Sequence, residues 1–286
     1  MGVLRERMEQ DLVLRGRAAR TREAYLHAVA ELARYYRRAP DQLTDAEVQR
    51  YLQHLIQERK LAWSSCRQAV CALRFFYEIT LGRPRATFRV PLPKGAQKLP
   101  EILSREEVAR LLAATTTLKH RVLLMATYAG GLRVSEVVHL RVSDIDSQRL
   151  MIRVEQGKGR KDRYTLLSSR LRDALRQYVR VYRPTPPWLF PQRRAALPMD
   201  AASALRIYHR AKARAGIRKV GGIHALRHAF ATHLVESGTD LATLQTLLGH
   251  SSIKTTMRYV QLSRGQVTAR VSPLDQLPLD ALAPAP

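Results

Sequence analysis

A proline-rich segment without helical or strand periodicity divides this chain. Residues 83–100, RPRATFRVPLPKGAQKLP, hold four prolines and a glycine among several basic residues. Because proline fixes φ and lacks a backbone donor, this composition is typical of an extended linker. The 286 residues also have the length of two ordinary domains. We therefore predict a first domain at 1–88, a linker at 89–100, a second domain at 101–270 and a C-terminal tail at 271–286.

The residues before the linker have the pattern of short amphipathic helices. Four apolar residues recur at helical spacing in the first of them, namely Tyr25, Val29, Leu32 and Tyr36. Thr44 and Glu47 match a capping box ahead of a second helix, and Ser65 is predicted to begin another. The first domain should be a bundle of three or four helices with Arg-rich outer faces.

The second domain is predicted to be helical with one β-hairpin. Another capping box, Ser104 to Glu107, opens it, and a helical pattern over 121–140 is interrupted at Gly130-Gly131. Residues 150–155 and 163–168 alternate at strand period around the glycine-bearing turn QGKGRKD. Helical patterns return from 170 to about 268. The fold class is therefore mainly α with a small antiparallel β-sheet in the second domain.

The charge indicates a polyanionic partner. Lys and Arg number 49 against 24 Asp and Glu, a net charge of +25. The excess lies in both halves, with 17 basic and 10 acidic residues in 1–90 and 32 and 14 in 91–286. Nucleic acid, an anionic membrane surface or a very acidic protein would complement it. A two-domain clamp on double-stranded DNA is favoured, the alternative being a chain merely rich in solvated Arg.

The remaining composition indicates a cytoplasmic protein without cofactors. No apolar run reaches the 18 residues of a membrane span, and the charged N-terminus lacks the apolar core of a signal peptide. Cys66 and Cys71 are too few for a disulfide framework or a zinc site. We expect both thiols to be buried as small hydrophobes in a reducing cytoplasm, with no membrane contact, no metal and no cofactor.

Two segments present a basic side chain beside glycine. Arg133 follows Gly130-Gly131 at a predicted helix start, where backbone donors and a guanidinium together suit an anion. Lys158 lies between two glycines at the hairpin tip, where it could reach a backbone phosphate. Each signal is weak alone: the arginine could be a solvated surface residue, and the lysine part of a basic turn touching DNA non-specifically.

A third segment is HALRHAFATHL, residues 224–234. At about 100° per residue its apolar side chains form one stripe, and His224 and Arg227 become neighbours off that stripe. A phosphate oxygen could accept from both. We interpret His228, which points further round the helix, as a supporting or structural residue rather than a catalytic one.

The fourth segment joins His250 to Tyr259. Gly249 is predicted to end one helix, and Ser251 or Ser252 to begin the next. On that next helix the predicted apolar stripe is Ile253, Met257 and Val260. Tyr259 falls roughly 120° from it, which predicts that its hydroxyl is presented outward.

The order and spacing of these groups resemble the tyrosine recombinase (phage integrase) family, especially its Xer-like members. The resemblance rests on Arg133, the GKGRKDR hairpin with Lys158, the HALRHAFATHL segment, and LLGHSSIKTTMRYV with Tyr259 nine residues after His250. It covers about residues 100–265, and the N-terminal bundle looks like the family's SAM-like core-binding domain. The resemblance implies a site-specific recombinase that joins DNA through a 3′-phosphotyrosine and a Holliday junction, without ATP or metal.

The resemblance also implies a role for each motif residue. Tyr259 would be the nucleophile, and its phenol needs a cationic environment because its free pKa is near 10. Arg133 and Arg227 would clamp the scissile phosphate, with His250 as a further donor. His224 would be the general base on Tyr259 or another phosphate donor. Lys158 would protonate the departing 5′-hydroxyl, and Glu136 would orient Arg133.

The resemblance also implies an assembly on DNA, and it leaves alternative functions open. Four subunits would assemble on two DNA sites, with the apolar tail residues Leu277, Leu279 and Leu282 docking on a neighbour, and accessory DNA-bending proteins are compatible with this scheme. A mobile-element integrase is favoured over a chromosomal Xer-type role. The short span from Lys158 to His224 disfavours integron-type integrases. A type IB topoisomerase-like enzyme and a catalytically inactive DNA-binding regulator are the competing classes.

Overall fold

The computed structural model describes residues 2–84, 88–89, 100–155, 162–192 and 197–262. These fall into two compact units, one within Met1–Gln97 and one within Lys98–Pro286. The predicted tail and almost all of the predicted linker lie outside the described residues, so the domain boundaries stay predictions. In the described part of the chain, no helix is long and apolar enough to cross a membrane.

The first unit is a helical bundle, as predicted. Its helices are α1 Gly2–Leu14, α2 Ala19–Tyr36, α3 Asp45–Gln57 and α4 Trp63–Arg74, the last extended by one π-helical turn at Phe75–Thr80. The Thr44–Glu47 capping box forms at the start of α3. The predicted start of α4 was two residues late, since Ala62 precedes the helix without a side-chain cap.

The two cysteines differ in burial. Cys66 lies in the core of the first unit, whereas Cys71 is exposed. The expectation that both thiols are buried was therefore wrong for Cys71. Its neighbour Ala72 faces the core instead, and successive helical residues point about 100° apart.

The second unit combines eight helices of its described residues with one small sheet. The helices are α5 Arg105–Ala113, α6 Leu118–Ala129, α7 Val134–Val138, α8 Ser169–Tyr182, α9 Ala201–Arg214, α10 His224–Glu236, α11 Leu241–Leu248 and α12 Ile253–Leu262. The predicted capping box at Ser104 and Glu107 begins α5. The mainly helical fold class with one small antiparallel sheet is confirmed.

The sheet contains the predicted hairpin and one strand more. β2 Met151–Val154 pairs antiparallel with β3 Arg163–Leu166, with Val154 opposite Arg163. The unpredicted β1 Ile145–Asp146 adds to the other side of β2. On β3 the polar residues Arg163 and Thr165 are buried and the apolar ones are exposed. This inversion brings Arg163 into the interior.

Gly131 fixes how the end of α6 meets α10. Its φ is +57°, and a Cβ there would lie 2.3 Å from Phe230 Cδ1. A side chain would therefore meet both backbone strain and an aromatic ring. Glycine lets the turn pack directly on α10, which sets the position of Arg133 two residues later.

Candidate active site

Arg133 occupies the N-cap position of α7. The Glu136 carboxylate accepts from the Arg133 backbone N–H at 2.7 Å and from its Nη1 at 2.6 Å. This is one half of a capping box, because a guanidinium cannot accept a hydrogen bond in return, and the same carboxylate also holds that guanidinium. The contact agrees with the predicted orienting role of Glu136.

Glu136 is shared by three arginines. Arg163 donates from Nη1 and Nη2 to the two Glu136 oxygens, each at 2.8 Å, and both side chains are buried. Arg227 Nη1 lies 3.7 Å from Glu136 Oε2. Although burial alone would raise the pKa of Glu136, the hydrogen bonds and charges of Arg163 and Arg133 lower it to about 2. The carboxylate is therefore ionised at any physiological pH.

Arg163 ends the GKGRKDR motif, but no role was predicted for it. Its Nε also donates to the Leu247 carbonyl at 3.0 Å, at the end of α11, so it joins β3, α7 and α11. On β3 the apolar residues Tyr164 and Leu166 alternate with Arg163 and Thr165, and the polar pair occupies the interior face. The inward position of Arg163 depends on Glu136, a partner 27 residues away in the sequence, and no local signal reveals it.

Arg227 is almost completely buried, with 1% of its surface exposed. Its Nη1 donates to the Gly131 carbonyl at 2.7 Å, and its Nη2 to the Leu248 carbonyl at 2.6 Å. The expectation that Arg227 lies off the buried face was wrong, because α10 is covered on almost every side. Burial and the neighbouring Arg133 charge lower its pKa to about 10, so it stays charged at neutral pH.

His250 is held from both sides of its ring. Its Nε2 lies 3.1 Å from Arg227 Nη2 and its Nδ1 lies 3.0 Å from Thr256 Oγ1. Since the guanidinium can only donate, Nε2 accepts and Nδ1 carries the proton toward Thr256. The predicted cap Gly249 ends α11 with a φ of 61°, which turns the chain into this position.

Tyr259 lies inside the unit, contrary to the outward position predicted. It is 4% exposed and packs with Phe230, Val235 and Leu244. Ile253 and Met257, predicted to be buried, are 41% and 52% exposed. The face of α12 that meets α10 and α11 carries Thr256 and Tyr259, so apolar content did not decide which face is covered.

The inward position of Tyr259 places its hydroxyl among the motif residues. His228 Nδ1 lies 3.1 Å from Tyr259 Oη, and the positive charge of Arg227 acts on the same side chain. The His250 ring is nearly parallel to the tyrosine ring at 6.3 Å. Burial raises the pKa of Tyr259 above its usual 10, and the charges of Arg227 and Arg133 oppose this. The expected nucleophile is therefore protonated in the free protein.

In the described part of the chain, the remaining motif residues, His224 and Lys158, are not seen in contact with the hydroxyl of Tyr259. His224 begins α10 at an exposed position, and its ring contacts that of His228 at 4.6 Å between centroids. The hydroxyl of Tyr259 is thus contacted by His228, for which the sequence predicts a supporting or structural role. Lys158 lies outside the described residues. Within those residues, no three His, Cys, Asp or Glu side chains are grouped as metal ligands.

Comparison of the sequence with known protein families identifies the family of this chain. Residues 101–265 match the phage integrase family, and residues 4–87 match the N-terminal SAM-like domain of phage integrases. The chain belongs to the phage integrase family of tyrosine recombinases. The recombinase is 44% identical to the putative integrase/recombinase y4qK of Sinorhizobium fredii, over 100% of this chain and 93% of that protein.

Solved structures agree with this family. The recombinase resembles the crystal structure of XerA recombinase at 26% identity and a TM-score of 0.55, over 94% of this chain and 99% of that one. A λ integrase fragment, crystallised as a dimer bound to a COC′ core site, gives a TM-score of 0.74 at 19% identity, over 96% and 99%. This last likeness shows the shared fold. The protein is a tyrosine-type site-specific DNA recombinase.

Proposed function

We propose that the motif residues perform transesterification at a DNA phosphodiester, with Tyr259 as the nucleophile. The observation that carries this proposal is the 3.1 Å contact between His228 Nδ1 and Tyr259 Oη, made by a side chain on which the charge of the buried Arg227 also acts. A positioned hydroxyl in a cationic environment suits attack on an anionic phosphate. The product is a 3′-phosphotyrosine, whose covalent bond conserves the energy needed for rejoining.

The electrostatics of the site support phosphate binding. Three guanidinium groups, of Arg133, Arg163 and Arg227, surround the single Glu136 carboxylate. Fixed donors stabilise the charge that builds on the non-bridging oxygens without rearranging. Arg133 and Arg227 bind the scissile phosphate in this proposal, with Arg163 holding Glu136 in place. His224 is a further donor to it, His250 becomes one when its Nε2 is protonated, and Lys158 protonates the departing 5′ oxygen.

The proposed organisation follows the family. Residues 1–88 are a core-binding domain, 89–100 a linker, 101–270 the catalytic domain and 271–286 a tail that docks on a neighbouring subunit. Four subunits assemble on two DNA sites in the cytoplasm, and accessory DNA-bending proteins fit the same scheme. A mobile-element integrase is the favoured role, supported by the integrase/recombinase name of the Sinorhizobium fredii relative, and a Xer-type role is second.

A nicked suicide substrate tests this function. Duplexes selected by the purified full chain from a random-sequence library supply the binding site, and a nick beside the scissile phosphate traps the covalent product. The wild type should form a protease-sensitive covalent complex, and Tyr259→Phe should bind equally well but form none. A complex that persists in Tyr259→Phe would disprove the assignment of the nucleophile.

Two labelled sites distinguish recombination from topoisomerase-like chemistry. A recombinase joins strands from both labels through a four-way junction, whereas a type IB topoisomerase-like enzyme reseals each duplex on its own. We expect the junction. Truncation after residue 270 should then reduce assembly of four subunits in analytical ultracentrifugation while leaving binding to a single site intact.

A further inference from the structure

The hydroxyl of Tyr259 meets a histidine that the proposed chemistry leaves without a role. His228 Nδ1 lies 3.1 Å from Tyr259 Oη, which is hydrogen-bond distance. His228 is on α10 and Tyr259 is on α12, 31 residues apart in the sequence, so two separately packed helices fix the contact. His224, one helical turn earlier on α10 and at its exposed start, contacts the His228 ring.

The hydrogen-bond roles at this contact follow from the partners. The positive charge of Arg227 acts to lower the pKa of Tyr259, and a guanidinium has no acceptor for the hydroxyl proton. His228 Nδ1 lies within hydrogen-bond distance of the hydroxyl and is able to accept that proton. Nδ1 then accepts, and the imidazole carries its own proton on Nε2.

His228 is neutral at physiological pH. Burial lowers its pKa to about 4, and the facing charges of His224 and Arg227 on its own helix and of Arg258 on α12 act in the same direction. An arriving phosphodiester brings a negative charge between Arg133 and Arg227, which raises the basicity of a nearby imidazole. The base is thus unprotonated before DNA binds and becomes stronger when DNA is bound.

We propose that His228 is the general base for Tyr259, an inference that rests on the proposed function. As Tyr259 Oη forms its bond to phosphorus, the Oη–H bond breaks and the proton passes to His228 Nδ1. The bond from phosphorus to the 5′ oxygen breaks, and that oxygen takes a proton from Lys158. In the rejoining step the proton returns from His228 to Tyr259. His224 remains free to act as a donor to the phosphate.

A substrate with a 5′-bridging phosphorothiolate isolates this proton transfer. Sulfur departs without a proton, so it relieves a defect in the general acid but not one in the general base. On selected duplexes with this linkage, Lys158→Ala should recover most of the wild-type rate of covalent-complex formation. His228→Asn, which keeps an acceptor near Nδ1 but is a poor base, should stay about 100-fold slow at pH 7.

The pH dependence provides the decisive readout. With a neutral base in place, the wild-type rate should be nearly constant between pH 7 and 9. His228→Asn should gain about tenfold per pH unit, because its tyrosine must lose the proton to solvent. His120→Asn changes another histidine whose pKa burial lowers, at the first turn of α6 away from Tyr259, and should behave as wild type.

Two results would overturn this role of His228. One is a His228→Asn rate and pH profile equal to those of the wild type. The other is a wild-type rate that itself rises tenfold per pH unit. That result would exclude His228 as the base even if every His228 variant fails to fold. Because the wild type and Tyr259→Phe are measured on the same substrate, failure of the proposed nucleophile is seen separately, as a covalent complex that persists in Tyr259→Phe.

Discussion

Glu136 compensates the charges of three arginines, two of which are themselves buried. Its carboxylate hydrogen-bonds both Arg133 and Arg163 and lies near Arg227. A single acidic side chain therefore holds the guanidinium groups in position and stabilises the turn that carries Arg133. The contribution of its charge is measured by removing that charge while keeping the shape of the side chain.

Glu136→Gln should lower the free energy of unfolding of the second unit by about 3–5 kcal/mol, because it leaves Arg163 and Arg227 as uncompensated buried charges. Urea denaturation followed by circular dichroism measures this. The matched control is Asp173→Asn, which removes an exposed ion pair with Arg172 and should cost under about 1 kcal/mol. Equal losses in the two variants would contradict the role of Glu136.

The same carboxylate predicts a dependence of stability on pH. Its pKa is about 2 in the folded protein against an ordinary 4.5, so the unfolded state binds a proton first as the pH falls. The stabilisation, on the order of 3 kcal/mol, is complete above pH 4.5 and is lost progressively toward pH 2. In urea denaturation at pH 6, 4 and 3, Glu136→Gln should lack this component.

Thr256 supports His250 through a buried hydroxyl 3.0 Å from Nδ1. Thr256→Val keeps the shape but removes the hydrogen bond between this hydroxyl and Nδ1, so the ring is held less firmly in its orientation. We expect about a tenfold lower rate of covalent-complex formation, equivalent to about 1.4 kcal/mol. Thr256→Ser retains the hydroxyl and should restore the rate; if it is as slow as Thr256→Val, packing rather than the hydrogen bond is responsible.

At the scale of elements, the turn at Gly131 joins α6, α7 and α10. Gly131→Ala combines a left-handed backbone with a Cβ 2.3 Å from Phe230 Cδ1, so it should cost roughly 2–5 kcal/mol. Gly216 has a similar φ of +67°, and nothing lies within 4 Å of the position that a Cβ would take there. Gly216→Ala should therefore cost only about 1–2 kcal/mol, as urea denaturation of the two variants will show.

The elements that were predicted correctly carry local signals. Capping boxes, the Gly249 helix end and strand alternation in β2 are decided by residues within a few positions of each other, and the structure reproduces them. The family motifs likewise name residues that the structure brings close together, among them Arg227, His250 and Tyr259. The face of α12 and the burial of Arg163 and Arg227 depend on residues far away in the sequence. No periodicity could reveal that Ile253 is exposed while Tyr259 is covered.

For the whole molecule, the charge of +25 predicts DNA binding that weakens steeply with salt. Each phosphate neutralised by Lys or Arg releases counterions, so affinity should fall by about 10³ or more between 50 and 200 mM salt. Fluorescence anisotropy on a selected duplex measures the slope. Tyr259→Phe should give the same slope. A fall in DNA affinity of less than tenfold over this range of salt would contradict a binding surface spread over both halves of the chain.

The charge arrangement around Glu136 also leaves the empty recombinase with more guanidinium than carboxylate at one place. Small tetrahedral oxyanions, such as vanadate or sulfate, should occupy this surplus and protect the folded protein, raising its melting temperature as their concentration rises. They should do so less in Arg133→Ala. The same anions would compete with the scissile phosphate for these guanidinium groups. A sulfate or vanadate buffer that stabilises the folded protein should therefore also inhibit cleavage of DNA.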